Sequence, residues 1–97
     1  MSKLMGITIY MDINITDKGF QPNNIVIEPS EHVIWHNNDN RPHTVSASDG
    51  HSFDSAEIAP GTSFELDLRQ KGIYGYYDRL NPELQGELSI ENIPATD

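Results

Sequence analysis

The chain contains no cysteine, which removes disulfides, thiolate nucleophiles and sulfur-rich metal sites together. Basic residues are scarce: six Lys and Arg stand against fifteen Asp and Glu, for a formal charge of -9. That balance repels phosphate backbones and anionic lipid headgroups, so nucleic acid is not an expected partner. The acidic residues are scattered rather than gathered in a block, which suits solubility better than steering toward a basic partner. No apolar run approaches the roughly eighteen residues of a membrane span, and none is expected. A glycine-rich phosphate cradle, a serine elbow and a Cys-His pair are also missing, so nothing assembles the convergent groups an enzyme needs. The opening MSKLMGITIY lacks an apolar h-region and a small-residue cleavage site, as in a cytoplasmic protein or an exported one whose leader has been replaced.

What the chain does have is period-two alternation, the mark of strands with one buried face. Ile7, Ile9, Met11, Ile13 and Ile15 alternate with polar or amphipathic residues as far as Asp17-Lys18-Gly19. Phe20, Pro22 and the Asn23-Asn24 pair read as a bend, and Ile25-Val26-Ile27 as a short strand stopped by Glu28-Pro29-Ser30. Val33 and Trp35 share one face of the next strand, Ile34 and His36 the other, before the turn Asn37-Asn38-Asp39-Asn40. His43, Val45 and Ala47 alternate with Thr44, Ser46 and Ser48, and a looser stretch with Phe53 and Ile58 follows, in which Phe53-Asp54-Ser55-Ala56 has one helical turn as its alternative reading. After Pro60-Gly61 the alternation returns in Phe64, Leu66 and Leu68, in Tyr74 and Tyr76, and in Leu88 and Ile90. Seven or eight short strands divided by Gly, Pro and Asn turns predict an all-β sandwich of two antiparallel sheets. The 97 residues suit one domain over 1–97, with an ordered sandwich across 3–93 and a tail at 94–97.

Three segments narrow this general sandwich: VIWHNNDNRPHTV at 33–45, IAPGTSFEL at 58–66 and GIYGYYDRLNPELQGELSI at 72–90. In order and spacing they resemble the plastocyanin and amicyanin branch of the cupredoxins over nearly the whole chain. The resemblance implies a seven- to eight-stranded Greek-key β-sandwich holding one copper ion at one end and carrying single electrons between larger partners. It also implies ligands from a histidine after the Asn-rich turn, and from a cysteine, a second histidine and usually a methionine in the later loop. His43 matches the first histidine, whereas Asp78 stands in the place of the cysteine, Asn81 of the second histidine and Leu84 of the methionine. A blue copper centre needs the soft thiolate; Asp78 is a hard oxygen donor and Leu84 has no donor at all.

Two readings of that end follow. In the first, blue copper electron transfer has been given up: His43-Asp78 or Arg79-Asp78 is a polar pair closing the sandwich, and no cofactor is required. The domain is then a non-catalytic recognition or structural module, meeting a protein partner through Arg41, Arg79, Leu80, Pro82 and Leu84. In the second, His43, Asp78 and Asn81 bind cupric ion as an oxygen and nitrogen site, with Arg41 or Arg79 competing for Asp78. His32, His36 and His51 read as wet surface groups, with an adventitious site at His51 beside Asp49 or Asp54 as the lesser reading. In the resembled family an asparagine of the turn ties the two ligand-bearing loops together, a role that falls to Asn37 or Asn38. Tyr76 matches an aromatic core position of that family, and Gly61, Gly72 and Gly86 read as turn or close-approach glycines.

Overall fold

The computed structural model describes residues 7–92, so the expected limits of the sandwich at 3 and 93 and the tail at 94–97 lie outside the described residues. Within them the chain forms β1 (Tyr10–Thr16), β2 (Gly19–Gln21), β3 (Asn24–Ile27), β4 (His32–Asn37), β5 (Ser46–Ala47), β6 (Ser63–Leu66), β7 (Gly72–Asp78) and β8 (Asn81–Ile90). They make two four-stranded sheets, in the orders β2-β1-β4-β6 and β3-β8-β7-β5. This is the all-β sandwich that the strand pattern predicts, with the Greek-key form that the resemblance implies. The sheets are not purely antiparallel, however: β1 runs parallel to β4, and β3 parallel to β8. The cause is connectivity, because the chain leaves the first sheet after β2, contributes β3 to the second, and returns as β4 in the direction of β1.

Alternation fixes the faces. In β4, Val33, Trp35 and Asn37 are buried while His32, Ile34 and His36 lie on the outer side. In β1, Ile13 and Ile15 are buried as expected, but Ile7 and Ile9 are exposed. Pairing with β4 begins at Tyr10, and those two residues lie past it. Phe20 is a strand residue rather than part of a bend: β2 pairs back on β1 with Ile15 opposite Phe20, placing that ring in the core.

The core centres on aromatics from both sheets. Trp35 of β4 meets Tyr76 of β7 edge to face, with centroids 5.4 Å apart, and Phe20 meets the same Tyr76 ring at 4.8 Å. Burying each large apolar side chain contributes roughly 1.5–3 kcal/mol, and edge-to-face packing adds to it. Gly86 lies opposite Tyr76 on β8, where a Cβ would fall inside the tyrosine ring, so the close approach requires glycine. Gly61 serves a turn instead, with φ of 80°.

The segment after His43 departs from simple alternation. Thr44 and Ser46 are as buried as His43, Val45 and Ala47, because residues 53–58 pack back over them. Backbone bonds join His43 to Ile58 in both directions and Ser55 to Val45, while the Ser55 hydroxyl accepts from the Val45 N–H. Phe53 to Ser55 therefore runs as an extended cover bonded to the neighbouring strand, and Ala56 turns the chain with a φ of 57°, so the segment is not a helical turn.

Candidate functional site: an acid-histidine-acid cluster at one end of the sandwich

The end of β4 sets one half of the site. Asn37 is buried, donates from Nδ2 to the carbonyls of Arg41 and Ile58, both at 2.8 Å, and accepts from the Asp39 N–H at 2.9 Å. These bonds fold residues 38–41 into a tight turn, with Asn and Asp side chains standing in for backbone partners. Asn37 thus ties the turn to the Ile58 segment, and Asn38 bonds Asn14 of β1. Neither reaches the later hairpin, contrary to the role that the resemblance implies.

The other half is a hairpin. Asp78 ends β7 and pairs with Asn81 at the start of β8, with only Arg79 and Leu80 at the tip and an irregularity in register between Tyr77 and Asp78. What reads in sequence as a ligand-bearing loop is mostly strand. Asp78 is fully buried, and Oδ1 accepts from the Thr44 N–H at 3.0 Å and the Leu80 N–H at 2.9 Å. Oδ2 faces His43 Nδ1 at 2.5 Å and accepts from Asn81 Nδ2 at 3.2 Å. The joining of the two segments is completed by the Arg79 N–H, which donates to Thr44 Oγ1 at 2.8 Å.

His43 is itself fully buried, and its other nitrogen, Nε2, lies 2.8 Å from Asp39 Oδ2. The imidazole is therefore held between two carboxylates, one from each half of the site. Burial pushes the Asp78 carboxyl up, but the bonds from His43, Leu80, Asn81 and Thr44 outweigh it and leave the group below its ordinary value. Asp39 is also held low, chiefly by His43 and then by the Asn40 N–H, with Arg41 adding to the effect.

The expected residues are thus brought together, but not around a common point. Asp78 oxygens and Asn81 Nδ2 are turned on each other and on His43, and Asn81 presents an N–H donor rather than a carbonyl to the carboxylate. Among the described residues no three His, Cys, Asp or Glu side chains form a metal-holding group. The donors present do not fit a copper ion in this arrangement. Neither guanidinium pairs with Asp78: Arg41 Nε lies 3.4 Å from Asp39, and Arg79 reaches Ser46 at 3.0 Å and Asp54 at 3.1 Å. Of the two pairings considered for Asp78, the one with His43 forms.

Asp39 is the member that sequence reasoning missed. The available signal was a carboxylate four residues before His43 inside a turn that Asn37 must fold back. Leu80 is 45% exposed and Pro82 is exposed beside it, whereas Leu84 is partly buried against the core. The remaining histidines are less free than they look. His32 bridges Glu65 and Asp67 across to β6, and His36 bridges Asp12 of β1 and Ser63 of β6. Only His51 stands open, 4.0 Å from Asp49, while Asp54 is engaged by Arg79.

A two-sheet Greek-key sandwich with a buried histidine at the end of β4's turn, facing the hairpin that joins its last two strands, defines a cupredoxin-like architecture. The chain belongs to the cupredoxin-like domain family, whose model matches residues 8–90. Among solved structures it is similar to a novel purple cupredoxin from Nitrosopumilus maritimus, at 24% identity and a TM-score of 0.76, covering 84% of this chain and 99% of that one. It is also similar to oxidised amicyanin carrying a methionine-to-leucine mutation, at 19% identity and a TM-score of 0.78, covering 84% and 81%. The Cu(I) form of a methionine-to-alanine mutant of amicyanin aligns at 16% identity with a TM-score of 0.77 over the same shares. No curated protein sequence matches the chain. With no cysteine the chain lacks the thiolate of a blue copper centre, and among the described residues no group of three His, Cys, Asp or Glu side chains converges to hold a metal.

Proposed function

We propose that this domain is a recognition module that keeps the cupredoxin scaffold and has exchanged one-electron relay for a binding role at the loop-bearing end. The observation that carries the reading is the Arg79-Leu80 hairpin tip, an exposed leucine mounted on a base whose polar groups are mutually satisfied. Such a tip is rigid before any partner arrives, because Asp78, Thr44 and Ser46 fix it from below through Arg79 and Leu80. Little ordering entropy is then lost on association. Arg79 and Pro82 flank Leu80 on the hairpin and Arg41 is exposed on the turn that carries Asp39, a mixture of polar and apolar groups that suits a protein partner. Leu84 contributes from below by packing, not by direct contact.

The competing cupric reading uses His43, Asp78 and Asn81, and it requires a cation to break bonds these groups already make to one another. The two are separated by titrating cupric ion against the native chain with spin resonance detection, alongside cross-linking in the native extract. The recognition reading expects no stoichiometric cupric site at His43. It also expects a discrete cross-linked species that Leu80→Glu abolishes and Ile73→Glu, at the opposite end of β7, retains. Stoichiometric copper lost in both His43→Ala and Asp78→Ala, or cross-linking indifferent to Leu80, overturns it.

A further inference from the structure

The donor chemistry of the closed end supports a more specific statement than the absence of a thiolate. We infer that an internal ion triad, Asp39–His43–Asp78, takes the position of the family's metal: the imidazole carries a proton on each ring nitrogen and lies as a cation between two carboxylates. The observation behind it is the pair of contacts, Nδ1 to Asp78 at 2.5 Å and Nε2 to Asp39 at 2.8 Å, around a ring with no solvent exposure. A neutral imidazole donates from one nitrogen only, so the other would turn a lone pair toward a carboxylate oxygen. Water cannot relieve that conflict at a ring sealed from solvent. Two donors and two acceptors resolve it.

The surrounding bonds agree. Asp78 receives four hydrogen bonds, two on each oxygen, which fills the acceptor capacity of an ionised carboxylate. Its partners include two backbone N–H groups and the Asn81 amide, all of which favour the charged form. Arg41 lies beside Asp39, so the cluster holds two negative and two positive groups. A metal ion can replace the internal cation only if the Nδ1 or Nε2 proton leaves to solvent and a carboxylate gives up its bond. The triad therefore excludes metal by occupancy, while the hardness of its donors disfavours only the soft cuprous ion.

This inference concerns the interior of the site and does not depend on what the hairpin tip binds. Nitrogen-15 and proton spectra of the full-length chain at neutral pH test it, with His43 assigned through contacts to Thr44. The expected result is two slowly exchanging ring N–H signals for His43, both unchanged on adding one equivalent of zinc ion. In Asp39→Ala the Nε2 signal is expected to disappear while the Nδ1 signal stays. One ring N–H in the native chain, or loss of the Nδ1 proton on adding zinc, overturns the triad. Two protected signals persisting in Asp39→Ala overturn the part assigned to Asp39. The native measurement alone is decisive if the variant does not fold.

Discussion

Two histidines in this molecule are held between carboxylates, and they teach opposite lessons. His32 lies on the outer face of the first sheet between Glu65 and Asp67, whose side chains are 47% and 38% exposed. His43 has the same kind of partners, but ring and Asp78 are sealed from water, and Asp39 nearly so. On the outer face the charges interact through solvent and salt, so the cluster is a weak staple between β4 and β6. At the closed end the groups have lost their hydration, and each depends on the others to offset that loss. Identical chemistry is thus dispensable in one place and mandatory in the other, and burial alone makes the difference.

The sharpest way to break the comparison is to remove a buried partner. Asp78→Ala strands His43 and three further donors, and we expect a loss of about 3–5 kcal/mol in urea unfolding, the range for breaking a buried charge pair. A loss no larger than that of a surface variant would show that the end is hydrated. Tyr76 supplies a control with no charge partner. Burial pushes its phenol from 10.0 up to about 12, the Trp35 indole alone opposing, and by geometry neither Trp35 Nε1 nor Tyr76 Oη has a hydrogen-bond partner. Because the folded value is raised, stability is fully present below pH 10 and falls as pH rises toward about 12. The loss is at most roughly 2–3 kcal/mol, since one unit is worth about 1.4. Tyr76→Phe is expected to flatten that alkaline limb while leaving stability at neutral pH unchanged or slightly improved, as read by thermal unfolding across pH.

Acid sharpens the comparison from the other side. Asp39 and Asp78 are both held below 3.8 in the folded chain, so their stabilisation is present above the unfolded value and is lost as pH falls through the folded ones. The expected acid limb begins near pH 4 and is shallower in the double variant Asp39→Asn, Asp78→Asn than in a native control, the remainder coming from Asp49, Asp54 and Asp67, which are also held low. The smallest effect is expected at His32→Ala: about 1 kcal/mol or less, and less still in molar salt, as for exposed pairs. A larger, salt-insensitive loss would move His32 into the same class as His43.

The sandwich was legible because its signals are local. Val33, Trp35 and Asn37 alternate in β4 with His32, Ile34 and His36, and Pro60-Gly61 and Lys71-Gly72 mark turns in the chain itself. Errors arose where a distant partner decided. Phe20 became a strand residue because β1 lay ready to pair with it, and of the two readings of 53–56 the helical turn failed because the segment from His43 to Ala47 took the backbone bonds of Phe53 and Ser55. Similarly, Thr44 and Ser46 look like an outer face by alternation, yet the 53–58 cover buries them. At the site, His43 and Asp78 could be matched by position, and their adjacency is what the structure has. Asp39 could not, since its role depends on how Asn37 bends four residues of turn, a geometry with no periodic signature.

One feature of the strand order reaches into synthesis. β3 is an edge strand whose only neighbour is β8, so Asn24 meets Glu87 and Ile27 meets Ile90. As the chain leaves the ribosome, β2, β4 and β6 each find a partner among residues already made, whereas β3 must wait for β8 to emerge. The late arrival of β8 also brings Asn81 and completes the hairpin under which Asp78 is buried. Closure of the second sheet and completion of the hairpin over His43 therefore both wait on the same strand.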